Sequence, residues 1–163
     1  MNKLIIGIVS VLVLGAIVWF ARPGAKGTET PTESSGPTVL SATETNYDFG
    51  TISMVKGNVS HLFTVTNTGT EPVTISKLYT SCMCTTASIM NGTEKVGPFG
   101  MPGHAGIPSI NVVLQPSAST QVEAIFDPNA HGPAGVGTIS RVVILENNAG
   151  SPLELGFTAN VTP

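Results

Sequence analysis

The chain has 163 residues, and about 125 remain once the terminal segments are set aside, which is one domain's worth of core. Charged residues make up only 10% and the net charge is −3, so the basic footprint that neutralising a phosphate backbone requires is missing, and nucleic acid is not an expected partner. Eighteen glycines and twelve prolines without a period exclude collagen and suit many short strands and turns better than helices.

Residues 4–21, "LIIGIVSVLVLGAIVWFA", carry no charge and are flanked by Lys3, Arg22 and Lys26. As a helix this run would be roughly 27 Å long, close to the ~30 Å hydrocarbon core of a bilayer. Trp19 and Phe20 fall where an amphipathic ring favours the interface. Residues 1–21 are therefore expected to form an uncleaved signal anchor, one transmembrane helix holding the rest of the chain to a membrane on its extracytoplasmic side. No cysteine follows the run, which excludes a lipoprotein anchor. Residues 22–38, "RPGAKGTETPTESSGPT", bring too little apolar surface to order themselves and read as a flexible linker.

From residue 39 to 163 the dominant period is two. In "VSHLFTVTN" (59–67), Val59, His61, Phe63 and Val65 share one face; in "PLELGFTANV" (152–161), Leu153, Leu155, Phe157, Ala159 and Val161 do the same. Further strands are expected at 39–47, 73–78, 85–90, 109–114, 122–126 and 138–145. Turn chemistry separates them at "NTGTEP" (67–72), "NG" (91–92), "QPSAS" (115–119) and "DPNAHGPAGVG" (127–137). This pattern predicts an all-β fold, an immunoglobulin-like β-sandwich of about seven to nine strands over residues 39–163, without the intersheet Cys–Cys and Trp landmarks of antibody domains.

"YDFGTI" (47–52), "HLFTVTNTGTEPVTISKLYTSCMCTTA" (61–87), "VEAIFDP" (122–128) and a glycine-led last third together resemble the bacterial family called domain of unknown function 1573, itself similar to Hydin-type Ig-like domains. The resemblance runs from about residue 44 to 161. It implies an exported, often membrane-anchored β-sandwich with no established activity. The chain departs from the family in two places: the usual Cys-Gly-Cys is Cys82-Met83-Cys84, and "GPFGMPGHAG" (97–106) looks inserted.

Both cysteines lie in "TSCMCTT" (80–86). If this stretch is extended, residues i and i+2 point the same way, so the two thiols project together and Met83 turns to the opposite face, towards the core or an edge. Three roles compete. The thiols are buried packing groups; or they form a Cys82–Cys84 disulfide, which an exported domain permits and which, across one intervening residue, reads as a redox couple; or they bind a soft metal. For the third, Met101 and His104 in the inserted loop and His131 in a second Gly-rich loop complete a candidate set of Cys82, Cys84, Met101, His104 and His131, with copper as Cu⁺ the first expectation. Zinc would need both His104 and His131 to converge with the two thiolates. The loop "FGMPGHAGIP" also resembles the copper loop of cupredoxins, but Phe99 and Pro108 stand where its cysteine and methionine would be, so a blue-copper centre is not expected. His61, in line with Val59, Phe63 and Val65, is expected to be a satisfied, semi-buried histidine.

No Gly-x-Ser-x-Gly elbow, P-loop or helix-opening GxGxxG occurs, and the chain is not expected to be an enzyme. The leading functional expectation is a membrane-anchored extracytoplasmic binding or interaction module that captures a soft metal. A structural or adhesion scaffold docking a cell-envelope protein, and a thiol redox protein, are the alternatives.

Overall fold

Alternation along the sequence becomes strand pairing in the computed structural model, which describes residues 39–103 and 106–163. The expected anchor at 1–21, the linker at 22–38 and His104 lie outside the described residues. Among those described, no helix is long and apolar enough to cross a membrane.

The described residues form ten strands in order: β1 (Leu40–Ala42), β2 (Asn46–Ser53), β3 (Val59–Asn67), β4 (Val73–Thr80), β5 (Thr85–Asn91), β6 (Glu94–Phe99), β7 (Val112–Leu114), β8 (Ser119–Phe126), β9 (Gly137–Asn147) and β10 (Leu153–Thr162). They form two five-stranded sheets, β1-β3-β8-β5-β6 and β2-β10-β9-β4-β7. The alternate apolar residues turn inward. Phe63, Val65, Val122 and Phe126 of the first sheet join Val143, Leu145, Leu155 and Phe157 of the second in one buried cluster, so the sheets pack as a β-sandwich. Phe126 and Phe157 meet across it with ring centroids 5.7 Å apart. Each such side chain contributes about 1.5–3 kcal/mol by leaving water, and the alternating runs at 59–67 and 152–161 supply Phe63, Val65, Leu153, Leu155, Phe157, Ala159 and Val161 to that cluster.

Three sequence expectations need correction. The single strand expected over 39–47 is two: β1 pairs antiparallel with β3, and β2 pairs parallel with β10. Between them the polar run Thr43-Glu44-Thr45 has nothing to bury. There the backbone changes partners, Thr43 N–H donating to Thr64 O (3.2 Å) and Thr45 O accepting from Gly156 N–H (2.7 Å). The strand expected at 109–114 shortens to β7, which pairs with β4 only over Val73–Ile75; past that register Ile110 N–H reaches β4 by a single out-of-register bond to Ser76 O (2.8 Å). β6 was hidden by its own "VGPF": Gly97 has φ 121° and its peptide bond to Pro98 is cis. A Cβ at Gly97 would sit 3.0 Å from both Ala87 O and Ser88 Oγ, so β6 approaches β5 closely only where a side chain is missing.

Two of the motifs that carry the family resemblance turn out to be backbone devices. In "YDFGTI", Gly50 has φ 65° and β2 carries one residue more than β10 between the Asp48–Thr158 and Thr51–Asn160 pairs. Asp48 Oδ1 holds this bulge, accepting from Gly50 N–H and Thr158 Oγ1–H, both at 3.0 Å. In "NTG", Asn67 is fully buried; its Nδ2 donates to Glu71 O (2.8 Å) and Leu114 O (3.0 Å), and its Oδ1 accepts from Gly69 N–H (2.9 Å). That side chain ties the β3–β4 turn to β7.

Candidate functional site

The segment "SCMC" crosses from one sheet to the other, joining β4 to β5. The extended conformation expected for it is not found: Thr85 N–H donates to Cys82 O (3.1 Å), closing a turn over 82–85. Thr80, fully buried, braces it from inside, its Oγ1 lying 3.0 Å from Cys82 O and 2.9 Å from Thr85 O. Ser81 fastens the outer side to β9: its N–H donates to Val142 O and its Oγ accepts from Val142 N–H, both at 2.9 Å. Cys84 O accepts from Asp127 N–H (2.9 Å), which fixes the loop following β8 against the turn.

The thiols are together as expected, but for a different reason. A turn, not strand parity, folds residue 84 back beside residue 82, and Cys82 and Cys84 are joined by a disulfide, with Cα atoms 5.2 Å apart. Cys84 is 2% exposed and Cys82 is partly buried. Met83, placed by parity towards core or edge, is instead 65% exposed at the turn's tip.

Two further side chains complete the arrangement. His131 stands at the start of a 3-10 turn, Gly132–Gly135, with its Nε2 3.3 Å from Cys82 Sγ. Arg141, half-buried on β9, donates its Nε–H to Cys84 Sγ at 3.1 Å. Each sulfur thus has its own nitrogen partner from a different element, and Cys84 N–H also points at Cys82 Sγ (3.3 Å). Cys82, Cys84 and His131 offer three ligand atoms within 4.8 Å of one another.

Of the other expected ligands, Met101 is 48% exposed and lines a cavity of about 170 Å³ with Leu78, Phe99 and Ile107, and His104 lies outside the described residues. His61 is satisfied as expected. Its Nε2 lies 2.7 Å from Glu44 Oε1, and its ring stacks on Tyr47 at 3.6 Å. Arg141 escaped sequence reasoning, although "GTISRVVIL" held a signal: a lone charge within a β-branched run needs a partner on the strand's surface.

Residues 40–100 match the family described as Protein of unknown function (DUF1573). The match takes in β1 to β6 and the cysteine turn. No curated protein matches the chain. Among solved structures, a protein of unknown function from Porphyromonas gingivalis is similar at 16% identity and TM-score 0.50, over 82% of this chain and 51% of that one. This chain thus spans about half the length of that protein. The PapD-like domain 7 of human CEP192 is similar at 12% identity and TM-score 0.48, over 77% of this chain and 86% of that one. The VesB protease of Vibrio cholerae is similar at 15% identity and TM-score 0.48, over 76% and 32%. At such identities the likeness concerns the fold alone.

Proposed function

We propose that this chain is a membrane-anchored extracytoplasmic module whose immunoglobulin-like sandwich presents Cys82 and Cys84 as a reversible thiol–disulfide couple. The observation that carries the reading is the pairing of the disulfide with His131 Nε2 on one sulfur and Arg141 Nε–H on the other. A thiolate of a dithiol partner attacks the sulfur of Cys82, the less buried of the two residues. The S–S electron pair leaves on Cys84 Sγ, where the guanidinium N–H already points. The partner's second thiolate then attacks the mixed disulfide and its electron pair returns to Cys82 Sγ. Two electrons and two protons pass from the partner, which becomes a cyclic disulfide, and His131 Nε2 lies 3.3 Å from the Cys82 sulfur that takes up one of those protons. The module acts stoichiometrically, not as an enzyme.

Soft-metal capture, the leading expectation from sequence, narrows to the dithiol form, because thiolates and not a disulfide ligate copper. Three of the five expected ligands, Cys82, Cys84 and His131, favour that second reading by lying together. His104 lies outside the described residues, and Met101 lines the cavity beside Leu78 and Phe99.

The test is thiol counting on the folded chain with a mass-tagged alkylating reagent, before and after a mild dithiol. The couple predicts no tags, then two, then none after reoxidation, at unchanged circular dichroism. A pair that yields tags only in denaturant is a structural bond, and the scaffold alternative then stands.

A further inference from the structure

We infer that the dithiol form holds one monovalent soft cation, Cu(I), in a three-coordinate site of Cys82 Sγ, Cys84 Sγ and His131 Nε2, with Arg141 as the counter-charge that selects it over a divalent ion. This rests on the thiol couple proposed above and adds its ligand. The disulfide is the metal-refusing state, so capture is gated by redox.

Geometry admits the ion. Donors each about 2.0–2.3 Å from a common metal in a trigonal plane stand roughly 3.5–4 Å apart. The three ligand atoms already lie within 4.8 Å, with Cys82 Sγ and His131 Nε2 at 3.3 Å. Breaking the S–S bond lets the sulfurs separate by rotation of their own side chains, while the turn that carries them stays braced by Thr80 and Ser81.

Charge selects among ions. Two thiolates, a neutral imidazole and Cu(I) sum to −1, and the guanidinium on Cys84 Sγ brings the site to zero. The same ligands around Zn(II) are already neutral, so Arg141 leaves an excess positive charge beside a half-buried site. Zinc also prefers a fourth ligand, and among the described residues the histidine, cysteine and carboxylate groups gathered here number three. N–H donors aimed at both sulfurs, from Cys84 N on Cys82 Sγ and Arg141 Nε on Cys84 Sγ, suit thiolates that carry charge when ligated. Loading balances as two thiols plus Cu(I) giving the bis-thiolate complex and two protons released.

The experiment uses the full chain in detergent micelles, kept anaerobic, with thiols counted in every sample. Cu(I) is titrated against a chromophoric chelator, and Zn(II) against a second one. The expected result is one Cu(I) per dithiol chain, none per disulfide chain, and loss of binding in the Cys82→Ser, Cys84→Ser double variant. His131→Ala should weaken Cu(I) at least tenfold. Arg141→Gln should narrow the Cu(I)-over-Zn(II) preference at least tenfold, and Arg141→Lys, which keeps the charge, should restore most of it. Two free thiols without stoichiometric Cu(I) uptake overturn the inference and leave the thiol couple standing. Equal uptake by the disulfide form, or an Arg141→Gln variant that folds and keeps the full preference, overturns it as well. A disulfide that does not open in the folded chain ends both readings.

Discussion

Arg141→Gln is the substitution on which the thiol reading is most exposed. In the native arrangement Nε–H donates to Cys84 Sγ at 3.1 Å from a half-buried position on β9. A neutral disulfide sulfur is a weak acceptor, whereas the thiolate released on reduction is a charged one, so the bond favours the reduced state. Hydrogen bonds to charged groups contribute about 1.5–3 kcal/mol. Since 30 mV corresponds to about 1.4 kcal/mol for a two-electron couple, glutamine should lower the reduction potential by roughly 30–65 mV, a ten- to 150-fold shift towards the disulfide. Lysine, which keeps the charge without the planar N–H, should recover part of the difference. The assay equilibrates the folded protein against a dithiol–disulfide buffer series and reads the reduced fraction by alkylation and mass. A potential unchanged within about 10 mV, at wild-type circular dichroism, would falsify the assignment of Arg141 to the leaving sulfur.

Three other outcomes follow from the scaffold. Asn67→Ala strips partners from Glu71 O, Leu114 O and Gly69 N–H and should cost about 3 kcal/mol, a fall of roughly 10 °C or more in Tm by calorimetry; a loss under about 1 kcal/mol would mean that the β3–β4 turn holds without it. Gly97→Ala should cost on the order of 2 kcal/mol, from its φ of 121° and from the 3.0 Å approach to Ser88 Oγ. Because Ser88 Oγ is buried without a hydrogen-bond partner among the described residues, Ser88→Ala alone should be neutral or stabilising in urea unfolding and should soften the Gly97→Ala penalty; additive losses would refute that contact. At alkaline pH, burial and then the charge of Glu146 push the Tyr79 phenol up, while a hydrogen bond to Glu146 and then its charge raise Lys77, 2.8 Å away. Both groups keep their proton longer in the fold than in the unfolded chain, so their stability contribution is full below about pH 10 and is lost as pH rises through the folded values. Glu146→Gln should flatten that alkaline decline in Tm, and a decline of unchanged slope would exclude the cluster as its origin.

What could be read in advance divides by the range of the interaction. The faces of β3 and β10 were legible because alternation is local: Phe63, Val65, Leu155 and Phe157 are buried where period two put them. The break between β1 and β2 was not, because it depends on Gly156 offering its N–H to Thr45 from more than 100 residues away. β6 was invisible because a Gly-Pro pair ordinarily ends a strand, and the glycine is explained by its φ of 121° and its close approach to Ala87 O and Ser88 Oγ, which only the fold reveals. At the site, chemistry nominated Cys82, Cys84 and His131 without their geometry. Strand parity brought the sulfurs together by the wrong path and sent Met83 towards the core or an edge, whereas a turn joins the thiols and leaves the methionine in solvent.

The motifs of the family-matched segment can then be sorted by whether the fold needs them. The glycine of "DFG" sits in a bulge that requires positive φ, and the asparagine of "NTG" answers three buried backbone groups. The cysteines answer no comparable demand. Their turn is already closed by Thr85 N–H on Cys82 O, backed by Thr80 and tied to β9 by Ser81. A cross-link between residues two apart closes a loop of about three residues, worth on the order of 1.6 kcal/mol of unfolded-chain entropy, against about 4.7 for a 100-residue loop. A staple would be placed where it restrains more chain. A sulfur pair with little to hold together, set at the sheet crossover with a histidine on one atom and an arginine on the other, is better accounted for by what its sulfurs do when they part.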